Sequence, residues 1–131
     1  MWKFVFQGLI AGLLASLAGV IYFNIYQGLL LTEFDAVINV GSIIGASIFG
    51  CMLIAVGQLI IARWNKPNLV GIFNLLVLVL SFASIIGAIG MTLPLDIDFP
   101  ELFPGLVVPM HFFPALAYFA IAPFFKKEAG A

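Results

Sequence analysis

The sequence predicts an all-α membrane protein, a four-helix transmembrane bundle with both termini in the cytoplasm. The first observation behind this prediction is composition: 64% of the 131 residues are hydrophobic and only 8% are charged, against about 25% charged residues in soluble domains. The second is a set of long uncharged stretches, at residues 4–32, 36–62, 67–95 and 102–125. Each is longer than the roughly 20 residues that a helix needs to cross a bilayer. We therefore expect a single transmembrane domain over residues 1–131.

The charged residues between these stretches alternate in sign along the chain, and this alternation predicts the orientation. The five basic residues occur near the start, the middle and the end, at Lys3, Arg63, Lys66, Lys126 and Lys127. Five of the six acidic residues lie in the gaps between those positions, at Glu33, Asp35, Asp96, Asp98 and Glu101, and the exception is Glu128. Short loops rich in lysine and arginine stay in the cytoplasm. Both termini and the middle loop are therefore predicted to be cytoplasmic.

The first three predicted spans, at about residues 5–27, 37–61 and 69–90, carry small residues at helical spacing. The first span is interpreted as uncleaved, because its apolar run continues to Leu31 whereas a signal peptide has an apolar run of about 7–15 residues. Helices in lipid approach closely where small residues face each other. We expect these faces to pack within one chain, and association of several chains remains open. The small-residue faces comprise Gly8, Gly12, Ala15, Ser16 and Gly19 in the first span, Gly41, Ser42, Gly45, Ala46 and Gly50 in the second, and Ala83, Ser84 and Gly87 in the third.

The fourth predicted span, at about residues 106–125, contains prolines at three positions. Pro109 suits a first helical turn, because its missing N–H is not needed there. Pro114 leaves the Met110 carbonyl without its usual partner and should kink the helix. Pro123 is expected to end the helix ahead of the basic tail.

The loop before the fourth span alternates apolar residues with acids and prolines from Leu93 to Pro100. This alternation predicts an extended strip along the membrane surface, after which Pro104-Gly105 is expected to turn the chain back into the membrane. The acids of the two outer loops could form a solvated connection or a surface that binds a cation or a partner. No glycine-centred ligand loop accompanies them, so no metal site is predicted. This outer acidic surface comprises Glu33, Asp35, Asp96, Asp98 and Glu101.

His111 is the strongest single candidate for chemistry, because an ionisable residue in the middle of a span should face the bundle interior or a polar cavity. A polar site open to the outside is predicted around it, formed with Tyr22, Asn24, Tyr26, Asn39 and Asn74. The alternatives are a histidine hydrogen-bonded to another span and tyrosines that lie at the membrane interface. A single histidine cannot ligate a haem from both sides. No catalytic residue and no cofactor are predicted.

Most of the sequence resembles a known group of proteins. The features are a first span rich in glycine and alanine, the turn Asn65-Lys66-Pro67, and Met110-His111 in the last span. In these the chain is similar to small four-span bacterial inner-membrane proteins of unknown function. The resemblance implies a multi-pass protein of the bacterial inner membrane, and it carries no activity.

The sequence contains no G-x-S-x-G, H-E-x-x-H or phosphate-loop motif, and this favours a non-enzymatic function. The leading hypothesis is an accessory or assembly subunit, or a self-associating bundle. Its partners would be the lipid bilayer and either further copies of the chain or a larger membrane complex, and no nucleic acid. The first alternative is a small transporter or ligand-binding bundle with its site around His111. The second is a membrane redox protein linked to a quinone or a haem.

Overall fold

A computed structural model describes residues 1–126, and it is built of helices joined by short loops. Four helical segments in this part of the chain are long and apolar enough to cross a membrane. The predicted all-helical fold with four candidate spans is confirmed. Lys127 and Glu128, which belong to the charge pattern, lie outside the described residues. The helices are α1 (Trp2–Leu30), α2 (Val40–Arg63), α3 (Asn68–Ile89), a 3-10 turn (Pro100–Leu102), α4 (Phe103–Met110) and α5 (Phe113–Phe125).

The closest packing is between α1 and α2, along the small residues of α1. A Cβ atom placed on Gly12 would lie 2.9 Å from the Cα atom of Ile48, and one on Gly8 would lie 2.9 Å from the Cβ atom of Ala55. Such distances leave no room for a side chain, so the two backbones approach as closely as glycine allows. The expectation that this face packs within the chain is confirmed.

The small residues of α3, and part of those of α2, behave differently. Gly45 and Gly87 have no atom within 4 Å of the position that a Cβ would take, and Ala83 is exposed. The expectation that these faces pack within the chain is therefore wrong for them. The reason is the position of α3, in which Val77 alone is buried: this helix stands partly away from α2.

The fourth span is broken in the middle, between α4 and α5. His111 and Phe112 form a turn there, because Pro114 has no N–H to offer the Met110 carbonyl. The predicted kink is confirmed. Pro114 itself lies in the first turn of α5, where the missing N–H has no cost.

The other proline predictions for this span are wrong. Helix α4 begins at Phe103, so Pro104 and Gly105 belong to its first turn rather than to a connecting turn, and Pro109 lies inside the helix. Proline at the start of a helix has the φ value that the helix needs, which favours the earlier start. Pro123 lies inside α5 rather than at its end, although the helix does end at Phe125, ahead of the basic tail as predicted. A proline disturbs the turn before it, whereas its own φ permits the helix to continue.

The loop between α3 and α4 is a turn rather than the predicted extended strip. The Ile97 N–H donates to the Pro94 carbonyl at 3.2 Å, which folds the chain back. Leu93 and Ile97 consequently pack against a cluster of buried apolar side chains that includes Phe34 and Phe103, while Leu95 is fully exposed. Leu93 and Ile97, four residues apart, thus share the side of the loop that packs against the bundle. In the predicted extended strip, residues two apart would have shared that side.

The antiparallel order of the helices brings charges of one sign to each end of the bundle. At one end, Arg63 Nη2 lies 3.6 Å from Met1 Sδ. At the other end, the rings of Phe34 and Phe103 pack edge to face with centroids 5.3 Å apart, which joins the acidic loop after α1 to the start of α4, directly behind the second acidic loop. Among the described residues, basic and acidic side chains therefore lie at opposite ends.

A candidate ligand cleft between the second and third helices

A cleft of about 960 Å³ lies between α2 and α3, with the α4–α5 junction forming its back wall. It exists because α3 touches its neighbours at only a few places. Near the basic end, the ring of Phe73 lies against Gly57 of α2. Farther along, Phe82 packs edge to face on Phe112 with ring centroids 4.9 Å apart. Between these contacts and the loops that carry the acids, the facing sides of α2 and α3 remain separated.

The wall of the cleft is largely apolar and carries polar groups at a few points. Apolar side chains from every surrounding helix line it, including Ala46, Leu53, Leu80 and Val107. Its polar members are Ser42, Ser47, Ser81, Ser84 and His111. An apolar concavity with a few polar groups is typical of sites that bind small molecules.

His111 lines this cleft and is hydrogen-bonded to α3. It is half-buried at the break of the fourth span, and its Nδ1 atom lies 2.9 Å from the Ser84 Oγ atom. The Ser84 hydroxyl also donates to the Ser81 carbonyl at 2.7 Å. The helix break thus holds the imidazole in the wall, and α3 fixes the orientation of its ring. Cys51 lies behind the same break, and its thiol donates to the Pro114 carbonyl at 3.4 Å.

The other residues of the predicted polar site are not gathered around His111. Asn24 is exposed and donates to the Val20 carbonyl of its own helix at 2.8 Å. Asn39 caps α2, where its side chain accepts from the Ser42 N–H at 3.0 Å. Neither amide contributes to the cleft, because each satisfies a neighbouring backbone group instead.

Tyr22 and Tyr26 bind the backbone of the fourth span. The Tyr22 hydroxyl donates to the Gly105 carbonyl at 2.6 Å, and the Tyr26 hydroxyl donates to the Leu102 carbonyl at 2.5 Å. Gly105 has no i+4 N–H donor, because residue 109 is proline. The Tyr22 hydroxyl therefore satisfies the carbonyl that Pro109 leaves free, as required within a membrane. These tyrosines connect α1 to the fourth span and are not part of the lining of the cleft.

Replacing Tyr22 by phenylalanine is expected to lower the free energy of unfolding by about 1 kcal/mol, as for other hydrogen bonds between membrane helices. The same substitution should cost less in a Pro109→Ala background, because the new alanine N–H can serve the Gly105 carbonyl. Denaturant titration of the four variants in detergent micelles measures this coupling. An equal cost in both backgrounds would show that the tyrosine does not act on the carbonyl freed by proline.

The outer acidic surface does not converge on a site in the structure. All of its members are exposed, and residues 1–126 contain no group of three or more His, Cys, Asp or Glu side chains placed to hold a metal ion. One hydrogen bond connects the outer acidic surface to a helix: Gln27 Nε2 of α1 donates to Asp35 Oδ2 at 3.4 Å. The members are Glu33, Asp35, Asp96, Asp98 and Glu101.

A network of hydrogen-bonded polar side chains links all four spans near the basic end of the bundle. The sequence analysis did not predict it. Gln7 of α1 donates to the Tyr118 carbonyl at 3.2 Å, and the Tyr118 hydroxyl donates to Gln58 Oε1 at 3.4 Å. Gln58 Nε2 then donates to Asn74 Oδ1 at 3.2 Å. Asn74 therefore belongs to this hydrogen-bond network and not to a site around His111. Two glutamines inside apolar spans were the signal, because such residues require partners in lipid.

No family model matches the chain, and no curated protein or solved structure matches it either. The candidate site is therefore defined by its own geometry, in which His111 is the one member of the predicted polar site that lines the cleft.

Proposed function

We propose that this protein is a non-enzymatic, multi-pass membrane protein that binds a membrane-soluble small molecule in the cleft between α2 and α3. The observation that carries the proposal is the cleft itself, about 960 Å³ in volume and lined by apolar side chains around His111. Ligand sites of proteins have volumes of roughly 300–1,000 Å³ and the same mixture of apolar surface with a few polar groups. This function is the ligand-binding alternative of the sequence analysis. The proposed site lies between α2 and α3, whereas the predicted site also included Tyr22, Asn24 and Tyr26 of α1.

The position of the cleft favours a ligand that comes from the bilayer. On α2 its lining runs from Ser42 to Ile54, which corresponds to about 18 Å of helix at 1.5 Å per residue. That length covers more than half of the roughly 30 Å hydrocarbon core. A molecule with an apolar chain and one polar group would match such a wall, and it could enter sideways between the two helices.

We propose further that the basic end of the bundle faces the cytoplasm of a bacterial cell and that the acidic loops face outward. The positions of lysine and arginine support this orientation, with Lys3 and Arg63 near the same end. Labelling by a membrane-impermeant maleimide tests it, with single cysteines placed in either outer loop or in the middle loop of a Cys51→Ser variant. Labelling of the middle loop alone in intact spheroplasts would reverse the orientation.

Filling the cleft is expected to abolish ligand binding without unfolding the bundle. Ala46 lines the cleft and is exposed, so a tryptophan there should occupy the ligand volume at little cost in packing. Ala18 of α1 is also exposed and lies outside the cleft, which makes Ala18→Trp the matched control. Mass spectrometry of the lipids that copurify from native membranes measures retention of the ligand.

We expect one amphiphilic compound to be enriched with the wild type and with Ala18→Trp, and to fall at least about tenfold with Ala46→Trp. Folding is checked in each variant by the protection of the buried Cys51 thiol against alkylation. Equal retention by Ala46→Trp, or copurification of lipids only in the proportions of the membrane, would refute the proposed function.

Self-association, which the leading hypothesis from the sequence includes beside a role as an accessory or assembly subunit, is the second candidate. The exposed small residues favour it, since Gly45 and Gly87 have open space where a neighbouring backbone could approach, as in many helix pairs in membranes. Cross-linking in native membranes distinguishes the cases. A dimer band that disappears with Gly45→Leu supports this candidate, and a monomer at every cross-linker concentration opposes it.

A further inference from the structure

The contacts of Ser84 indicate where the proton on His111 lies. A serine hydroxyl carries one hydrogen, and the Ser84 Oγ atom has two acceptors within reach, the Ser81 carbonyl at 2.7 Å and His111 Nδ1 at 2.9 Å. The shorter contact favours donation to the Ser81 carbonyl, and the contact with Nδ1 is then donated by the imidazole. With a neutral ring, as an apolar wall favours, this arrangement corresponds to the tautomer that carries its hydrogen on Nδ1.

This tautomer leaves Nε2 of His111 as a hydrogen-bond acceptor. Within residues 1–126 no donor reaches Nε2, and Nε2 is not among the side-chain atoms that are sealed inside the protein without a partner. The imidazole belongs to the wall of the cleft. An accessible acceptor thus lies amid apolar side chains in the middle of a span, where an unpaired polar group is costly.

We infer that the ligand of the cleft is a lipid-soluble alcohol whose hydroxyl donates to Nε2 of His111. The inference rests on the proposed function and names its ligand class. An ether, a ketone or a quinone offers only acceptor oxygens and cannot make this bond. An ammonium group could donate, but its charge would be costly at this depth. An un-ionised hydroxyl on an apolar chain satisfies the acceptor and fills the rest of the cleft.

The tautomer is tested directly, because the chain contains a single histidine. Nitrogen-15 labelling of histidine gives one pair of ring signals in detergent micelles. We expect Nδ1 to show the chemical shift of a protonated nitrogen and Nε2 that of a bare nitrogen, with a change at Nε2 when an alcohol binds. The reverse assignment in the unliganded protein would overturn the inference.

Ligand class is tested by competition between geranylgeraniol and its methyl ether, in which a methyl group replaces the hydroxyl hydrogen. Native mass spectrometry of the wild type with an equimolar mixture reports the occupancy of each. We expect the alcohol to be preferred at least about tenfold, in line with an acceptor left unpaired by the ether. Equal binding of the two probes, or binding of neither, overturns the alcohol inference, whereas the proposed function stands or fails by the separate lipid-retention experiment with Ala46→Trp.

Two substitutions connect the preference to His111. His111→Leu removes the acceptor and should reduce the preference for the alcohol to about one, while His111→Gln keeps a carbonyl acceptor and should retain a preference. Asn24→Leu removes a polar side chain that does not line the cleft and should leave the preference unchanged. A preference that survives His111→Leu in protein with a protected Cys51 thiol would assign the hydroxyl to another group and refute the inference.

Discussion

Replacing Gly12 by leucine is expected to prevent α1 and α2 from packing and to cost about 3 kcal/mol or more of unfolding free energy. A Cβ atom at this position would lie 2.9 Å from the Cα atom of Ile48. That neighbour is a backbone atom and cannot rotate away, so the helices must separate. Separation would open the layer in which Ala11 and Ala15 are fully buried. Gly12→Ala should show a smaller loss in the same direction.

Alkylation of Cys51 provides the measurement, because this is the one cysteine of the sequence and it is buried on α2. We expect the thiol to react slowly in the wild type and at least about tenfold faster in Gly12→Leu, in the same detergent. Gly71→Leu is the matched control, since Gly71 has no atom within 4 Å of its Cβ position. If both leucine variants protect Cys51 as the wild type does, the close approach of α1 and α2 is not required for stability.

This close approach was predictable from the sequence, whereas the cleft was not. Gly8, Gly12 and Gly19 repeat along one side of a single helix, and such spacing is a local property that helix geometry converts directly into a smooth face. Similar spacing at Gly45 and Gly87 predicted contacts that do not occur within the chain. Which smooth face finds a neighbour depends on the positions of whole helices, and local spacing contains no information on that.

The candidate polar site shows that sequence spacing also does not predict which single side chains meet a neighbouring helix. Tyr22 and Asn24 lie two residues apart, and therefore on different sides of α1. The sequence places both at similar depth, but it does not say which side meets the fourth span. The structure turns Tyr22 toward Gly105 and leaves Asn24 exposed. Only His111 was assigned to a cavity for a reason that did not depend on helix rotation, namely the cost of an exposed ionisable group in lipid.

The attachment of α3 has a consequence for how the proposed ligand would reach the cleft. Within the described residues, two side-chain hydrogen bonds join α3 to other helices: Gln58 to Asn74, and Ser84 to His111. One buried residue, Val77, contributes to its packing. A helix with so few buried contacts should open at a lower free energy than the α1–α2 pair. Movement of α3 alone would widen the cleft toward the bilayer while the rest of the bundle stays intact.

Replacing Gln58 by leucine is expected to loosen α3 selectively. The substitution removes the bond to Asn74 at 3.2 Å and the bond from the Tyr118 hydroxyl at 3.4 Å. Hydrogen bonds between membrane helices contribute about 0.6 kcal/mol on average and up to about 1.7 kcal/mol, so a total loss of about 1–2 kcal/mol is expected. The Asn74 amide is left unpaired in an apolar setting, which adds to the loss.

Hydrogen exchange followed by mass spectrometry separates selective loosening from general destabilisation. In Gln58→Leu we expect faster exchange in peptides of α3 and unchanged exchange in peptides of α1, because the α1–α2 layer does not depend on this bond. Replacing Gln58 and Asn74 together by leucine should recover part of the protection, since no amide then lacks a partner. Uniformly faster exchange in α1 and α3 would show instead that the hydrogen-bond network stabilises the bundle as one cooperative unit. In that case α3 does not open separately to admit a ligand.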